Sequence, residues 1–214
     1  GAGGRQPRRR PEAPGSKAAQ LRERCVRPWR DFLAECRAQA ERPTCVVVLC
    51  GAAPGNIGAV MRSCAVLGVG AVCVLGMGRL GRDDLKRAIN VSQMDRKPHW
   101  DLVLVPTEAE EGAAKALAQL RAAGLTLVGL TAEAWGRPLW HVDLTRPRLG
   151  LVFGSDEDDG EAFPDGAASQ LDVAATIPMR EGTSDMLNLS NTVTAVAYER
   201  HRQLALRAPA AAGG

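Results

Sequence analysis

The chain has 214 residues, 45% of them apolar and only 4% aromatic, with a formal net charge of +3. That length fits one domain plus an appendage, whose core must be built mainly from aliphatic side chains, Ala and Gly. No apolar run reaches the roughly 20 residues that a membrane-spanning helix needs, and the basic start lacks the apolar stretch of a secretory signal.

The charge is unevenly spread. Residues 1–42 hold 11 Lys/Arg and 5 Asp/Glu, against 16 and 19 in the remainder. The basic character belongs to an N-terminal segment, which either attracts a polyanion such as RNA or stays solvated. The six cysteines form no Cys-x-x-Cys pair, and several sit among Val and Leu, where a free thiol acts as a small apolar group. This pattern predicts a reducing intracellular compartment, no disulfide framework and no metal site. His99, His141 and His201 are too scattered for a zinc cluster.

Residues 1–16 are rich in Gly, Pro and Arg, with Arg8, Arg9 and Arg10 at their centre, and predict disorder in the unbound chain. A helical pattern starts at Ser16 and is interrupted by Pro28, which fits the first turn of a second helix. Trp29, Phe32, Leu33 and Cys36 share one face of that helix. Arg27, Arg30 and Arg37 lie opposite, so the appendage either packs on the core or contacts RNA. Residues 45–50 are a continuous apolar run, as in a parallel strand covered on both faces. Gly51 to Gly55 make a loop, and Asn56 is placed to cap a helix with Ile57, Val60, Met61 and Cys64 inward. Gly68 and Gly70 stop it.

Residues 71–75 predict the second strand, 83–89 a short helix and 90–99 an exposed loop. The third strand spans 102–105. Thr107 and Glu110 have capping-box spacing for a helix through Ala123, and Gly124 ends it. The fourth strand covers 125–130, with Thr131 just beyond. Residues 132–148 form a loop with at most one helical turn. Strands five and six cover 149–153 and 172–177. The last helix runs from about Asn188 to Leu206, with Val193, Val196, Ala197 and Leu204 inward and Arg200, Arg202 and Arg207 decorating its end. Alternating strands and helices predict a parallel α/β domain over 43–207, after an N-terminal extension at 1–42 and before a flexible tail at 208–214.

In such a sheet the loops beyond the strand C-termini form the usual ligand crevice. The first of these loops lacks a Gly-x-Gly-x-x-Gly fingerprint, which gives a dinucleotide site weak support. The loops after the later strands carry Gly154-Ser155 with Asp156 or Glu157, then Ile177-Pro178-Met179, then Met186-Leu187-Asn188-Leu189-Ser190. With Asn56-Ile57-Gly58 and Arg62 upstream, this order resembles the SpoU/TrmH family of SPOUT-superfamily RNA ribose 2'-O-methyltransferases. The resemblance spans roughly 45–203. It implies a deep C-terminal trefoil knot over about 150–199, a homodimer, S-adenosyl-L-methionine (AdoMet) as cofactor, and a ribose 2'-hydroxyl of tRNA or rRNA as substrate. The compact chain leans toward tRNA by family analogy.

The resemblance also assigns roles. Arg62 matches the arginine that activates the ribose hydroxyl, and Asn56 the residue that contacts substrate or holds that arginine. Glu157 is the acidic residue favoured to orient the site, and Asn188 contacts substrate or orders the pocket. Leu130, Thr131, Gly154, Ser155, Ile177, Met179, Leu187 and Asn188 line the AdoMet pocket. Two features depart from the family pattern. The loop from Gly154 to Gly160 is one residue longer than Gly-x-Glu-x-x-Gly, and Met186 replaces a serine. The alternative they open is an RNA-binding or assembly protein whose pocket no longer catalyses.

Overall fold

In the computed structural model, residues 24–75, 82–93, 101–107, 112–132, 136–154, 163–164, 166–180 and 187–208 are described. The apolar runs become strands β1 (Thr44–Leu49), β2 (Ala71–Val74), β3 (Val103–Pro106), β4 (Thr126–Leu130), β5 (Arg137–Pro138), β6 (Arg148–Phe153) and β7 (Val173–Thr176). The helices are α1 (Trp29–Ala38), α2 (Pro54–Val66), α3 (Arg82–Ser92), α4 (Ala113–Ala122) and α5 (Leu189–Arg207). The strands form one sheet in the order β3-β2-β1-β6-β4-β7-β5, with every neighbouring pair parallel.

Side chains that alternate along a strand face opposite ways, so each run supplies two cores. On one face Val47, Leu49, Val72, Leu104, Val128 and Leu151 meet Ile57, Val60, Met61 and Cys64 of α2 and Val193, Val196 and Ala197 of α5. On the other, Val46, Val48, Cys73, Leu127 and Val152 meet Trp29, Phe32 and Leu33 of α1 and Leu117 and Leu120 of α4. The sheet is thus sandwiched between helical layers, which is why its strands read as unbroken apolar runs. Gly68 and Gly124, at φ 74° and 88°, terminate α2 and α4 as the sequence predicts.

The amphipathic α1 packs its apolar face on the core and leaves Arg30 and Arg37 exposed. Trp29 Nε1 donates to Gln119 Oε1 at 2.6 Å. Pro28 is the N-cap of α1 and lies outside its first turn. Arg148, which opens β6, ties this layer down. Its guanidinium donates to the carbonyls of Cys36, Gln39 and Arg42 around the end of α1 and of Ala123 at the end of α4, at 2.7–3.3 Å. A cation among the unsatisfied carbonyls of helix C-termini is doubly favourable.

Several expectations change. Asn56 does not cap α2. The helix starts two residues earlier at Pro54 with Ala53 as N-cap, and Pro at this position loses no bond. The capping box at Thr107 is not formed for α4, which starts at Ala113 after Gly112; Glu110 lies outside the described residues. Thr107 is instead buried, with its hydroxyl donating to the Val74 carbonyl at 3.4 Å. Ser92 is the buried last residue of α3 and does not belong to an exposed loop. The segment 132–148 contains a strand, β5, paired with β7, as well as a 3-10 turn at Leu139–His141. Arg200 is buried because it continues the i, i+3, i+4, i+7 stripe of Val193, Val196 and Ala197, while Leu204 is only half-buried.

All six cysteines are unpaired and buried. Burial pushes the Cys45 thiol up to about 11, with Arg200 pulling the other way, and the Cys50 thiol up to about 12. A folded thiol that keeps its proton above the ordinary value near 9 contributes stability that is intact below that pH and falls as pH rises through 11. Thiol titration at pH 8 should therefore be slow in the native protein and reach six groups only on unfolding. Rapid labelling of the native state would contradict this packing. Arg148→Met should lower unfolding free energy by about 3 kcal/mol, since charge-assisted bonds to several helix carbonyls are lost together. Urea titration measures it.

Candidate active site

Three adjacent strands end together. Leu130, the last residue of β4, is in register with Phe153, the last of β6, and with Ala175 of β7. The loops holding Leu130 and Thr131, Gly154, and Ile177 to Met179 therefore leave the sheet side by side. Thr131 is buried and its N–H donates to the Ala175 carbonyl at 2.9 Å, which continues the ladder past the strand end. Ile177 is half-buried, whereas Met179 and Leu187 keep about two-fifths of their surface exposed. Ser155 and Glu157, both expected here, lie outside the described residues, as do Asp156 and Met186.

Gly136 is what lets β5 close one side of this end. A Cβ there would lie 3.0 Å from the backbone of Ala175 and 3.1 Å from both Thr131 Cγ2 and Thr176 Cβ. Gly58 does the same for the helices. Its Cβ would meet the Ala88 carbonyl and Val91 Cβ, each at 2.6 Å, so α3 lies directly on the bare backbone of α2. Neither close approach was readable from the sequence, where both residues pass for ordinary small positions.

Asn188 is the N-cap of α5. Its Oδ1 accepts from the Ser190 N–H at 2.9 Å and from the Ser190 hydroxyl at 2.7 Å. With that oxygen turned to its own helix, the amide nitrogen faces α2 and donates to Asn56 Oδ1 at 3.4 Å. The two asparagines, 132 residues apart, are thus brought together where α2 and α5 begin. Arg62 is exposed on α2 and forms no hydrogen bond or ion pair among the described residues. It sits six residues after Asn56, about 9 Å along the helix and on a different side. Its five donors remain available to an anionic or hydroxyl-bearing ligand. Arg87 of α3 lies against the start of α2, with its guanidinium 3.7 Å from where a Cβ of Gly55 would be.

Among the described residues, no group of His, Cys, Asp and Glu is arranged to hold a metal ion, and no helix is long and apolar enough to cross a membrane.

Comparison with known proteins points the same way as the geometry. The model of the SpoU rRNA methylase family matches residues 43–198. The 23S rRNA (guanosine-2'-O-)-methyltransferase RlmB of Xylella fastidiosa is 30% identical over 153 residues, 72% of this chain and 56% of that protein. The chain thus spans about half the length of the curated relatives it matches. Among solved structures, the SpoU methyltransferase AviRb of Streptomyces viridochromogenes, in complex with AdoMet, superposes with a TM-score of 0.60 at 25% identity. The match covers 77% of this chain and 62% of that one. The A. aeolicus TrmH/SpoU tRNA modifying enzyme shares the fold, with a TM-score of 0.62 at 21% identity over 84% and 85% of the two chains.

The two jobs of Asn188 can be separated. Asn188→Ala should cost about 1 kcal/mol through loss of the cap. Asn188→Asp should keep the cap and the melting midpoint while losing the donor to Asn56. Equal destabilisation by both variants would show that the contact with Asn56 carries the effect.

Proposed function

The chain belongs to the SpoU rRNA methylase family, and on that premise we propose that it transfers a methyl group from AdoMet to a ribose 2'-hydroxyl of structured RNA. The observation that carries this reading is the alignment of the β6, β4 and β7 ends together with the Asn56–Asn188 contact between the starts of α2 and α5, with the Arg62 guanidinium, unpartnered among the described residues, on the same helix as Asn56.

The residues present fit the cofactor. An adenosine moiety needs apolar walls and a few backbone donors and acceptors. Leu130, Ile177, Met179 and Leu187 supply the first, and the backbone of Thr131, Gly154 and Pro178 beyond the strand ends supplies the second. When bound, AdoMet supplies a methyl group on a positively charged sulfur. The chain's own part concerns the hydroxyl. A ribose hydroxyl is a weak acid; its oxygen would become more negative as it passed its proton to solvent and formed a bond to the methyl carbon, whose bond to sulfur would break. The guanidinium of Arg62 offers positive charge and five donors, so it favours that developing charge or clamps the adjoining phosphate. Asn188 and Asn56 hold the start of α5 against the start of α2. Glu157, in the acidic loop, is the proposed orienting carboxylate. No metal is needed for methyl transfer in this scheme.

RNA fits as the substrate because Arg30, Arg37, Arg62 and Arg87 are all exposed. The curated relatives are named for 23S rRNA, which favours rRNA over the tRNA that compactness suggests. We propose further that the C-terminal third is threaded as a trefoil knot and that two copies pair. Val66 on α2 and Tyr198 on α5 are 67% and 60% exposed, outward side chains that a second copy would cover. Scattering should return twice the monomer mass at micromolar concentration.

The reaction is tested with tritiated AdoMet on rRNA and on tRNA, followed by digestion to nucleosides. Label should appear in a 2'-O-methylnucleoside. Arg62→Ala should cut the rate at least about 100-fold, or roughly 2.7 kcal/mol, with AdoMet affinity nearly unchanged. Label on a base would overturn the reaction class. Arg30→Ala with Arg37→Ala should reduce the salt dependence of RNA binding by about one unit per lost phosphate contact. An unchanged slope would assign those residues no contact.

A further inference from the structure

The motifs account for Asn56, Arg62 and Asn188, but not for the two hydroxyls that join the same helices farther down. Thr194 Oγ1 lies 2.8 Å from Ser63 Oγ and 2.8 Å from the Ser190 carbonyl oxygen. A carbonyl oxygen only accepts, so Thr194 gives its one proton to Ser190, and the Ser63 hydroxyl donates to Thr194. The Ser190 hydroxyl in turn donates to Asn188 Oδ1, and Asn188 Nδ2 to Asn56 Oδ1. Two side-chain contacts thus tie α5 to α2, Thr194 with Ser63 and Asn188 with Asn56, and Ser190 touches both, through its carbonyl and its hydroxyl respectively.

We infer that Ser63 and Thr194 are positioning residues for Arg62: their bond fixes the sliding and rotation of α5 against α2, and so where the guanidinium stands relative to the strand-end crevice. This rests on the reading of Arg62 given above. The apolar stripe beneath, Val193, Val196 and Ala197 against Val60 and Cys64, is buried but non-directional. Interdigitation of that stripe sets the register coarsely, and the rim bonds at Asn56 and at Ser63 refine it. A hydrogen bond does so because it weakens steeply when the atoms move apart or out of line. Ser63 is the immediate neighbour of Arg62, so an error at Ser63 is passed to the long side chain beside it. Thr194 is exposed and Ser63 half-exposed, so water replaces either partner when the bond is lost. The pair therefore adds little to stability, and a merely structural role predicts little effect of removing it.

The experiment compares the wild type with Thr194→Val, Thr194→Ser, Ser63→Ala, Ser63→Ala/Thr194→Val and Arg62→Ala on the RNA that the wild type methylates. Valine keeps the shape of threonine and deletes the hydroxyl. Thr194→Val should lower kcat about 10-fold, since small misplacements of a reacting group have effects of this size or larger. Its RNA KM, AdoMet affinity and melting midpoint should stay near wild type. Thr194→Ser should restore the rate, and the double variant should be no slower than either single one, because both remove the same bond. A wild-type rate in Thr194→Val, or a Thr194→Ser as slow as Thr194→Val, would overturn the inference while leaving the role of Arg62 intact. A wild type that methylates neither RNA, or an Arg62→Ala that is fully active, overturns the reading of the site and this inference with it.

Discussion

The central strand β6 is the constraint on which the rest depends. It has neighbours on both sides, β1 and β4, and must match the hydrogen-bond register of each along its length. It is also covered on both faces, so no side chain from Leu149 to Phe153 reaches water. Gly150 shows how little room is left, since a Cβ there would stand 2.5 Å from Leu127 Cδ2 on β4. At the start of the strand, Arg148 gathers the C-termini of α1 and α4 under one guanidinium. At its far end, Phe153 hands the chain to Gly154 beside the end of β4. One strand therefore sets the packing of one helical layer at its base and, at its tip, where the chain leaves the sheet toward the proposed ligand site.

The helices of the opposite layer use a different kind of specification. Apolar stripes bring α2 and α5 together, and polar side chains at the rim of that contact set the alignment. Asn188 does this by spending its oxygen on its own helix and its nitrogen on its neighbour. Gly58 does it by omission, letting α3 approach until the α3 backbone touches the position of a missing Cβ. The ends of β6, β4 and β7 carry the loops assigned above to the proposed cofactor site, and α2 carries Arg62. The loops that follow β1 and β7 bring the starts of α2 and α5 to the same end of the sheet.

Much of this architecture was legible in the amino-acid order, for reasons that mark the boundary of what was not. Doubly covered strands are apolar without interruption, so β1, β2, β4 and β6 announced themselves. Arg137–Pro138 has no apolar run, and only the backbone of β7 makes it a strand. Thr107 has the residue type and spacing of a cap, but the helix it would start begins only at Ala113, with Gly112 as N-cap. The charge of Arg200 points to the surface, although its helical spacing puts it on the core stripe. In the candidate site, Asn56, Arg62 and Asn188 were recognisable because their order matched a known pattern. Ser63 and Thr194 were not, since a serine and a threonine on the outer faces of two helices look like solvated positions until the helices are brought together.

The proposed site puts ligand binding at the β6-β4-β7 end of the sheet and not at the loop after β1, where a dinucleotide fold would place it. A crystal structure of the protein grown with S-adenosylhomocysteine, the demethylated product of AdoMet, distinguishes the two. The adenosine is expected between Leu130, Gly154 and the segment 177–179, with its backbone contacts made beyond the strand ends. A ligand lying instead over residues 51–53, against the start of α2, would contradict it.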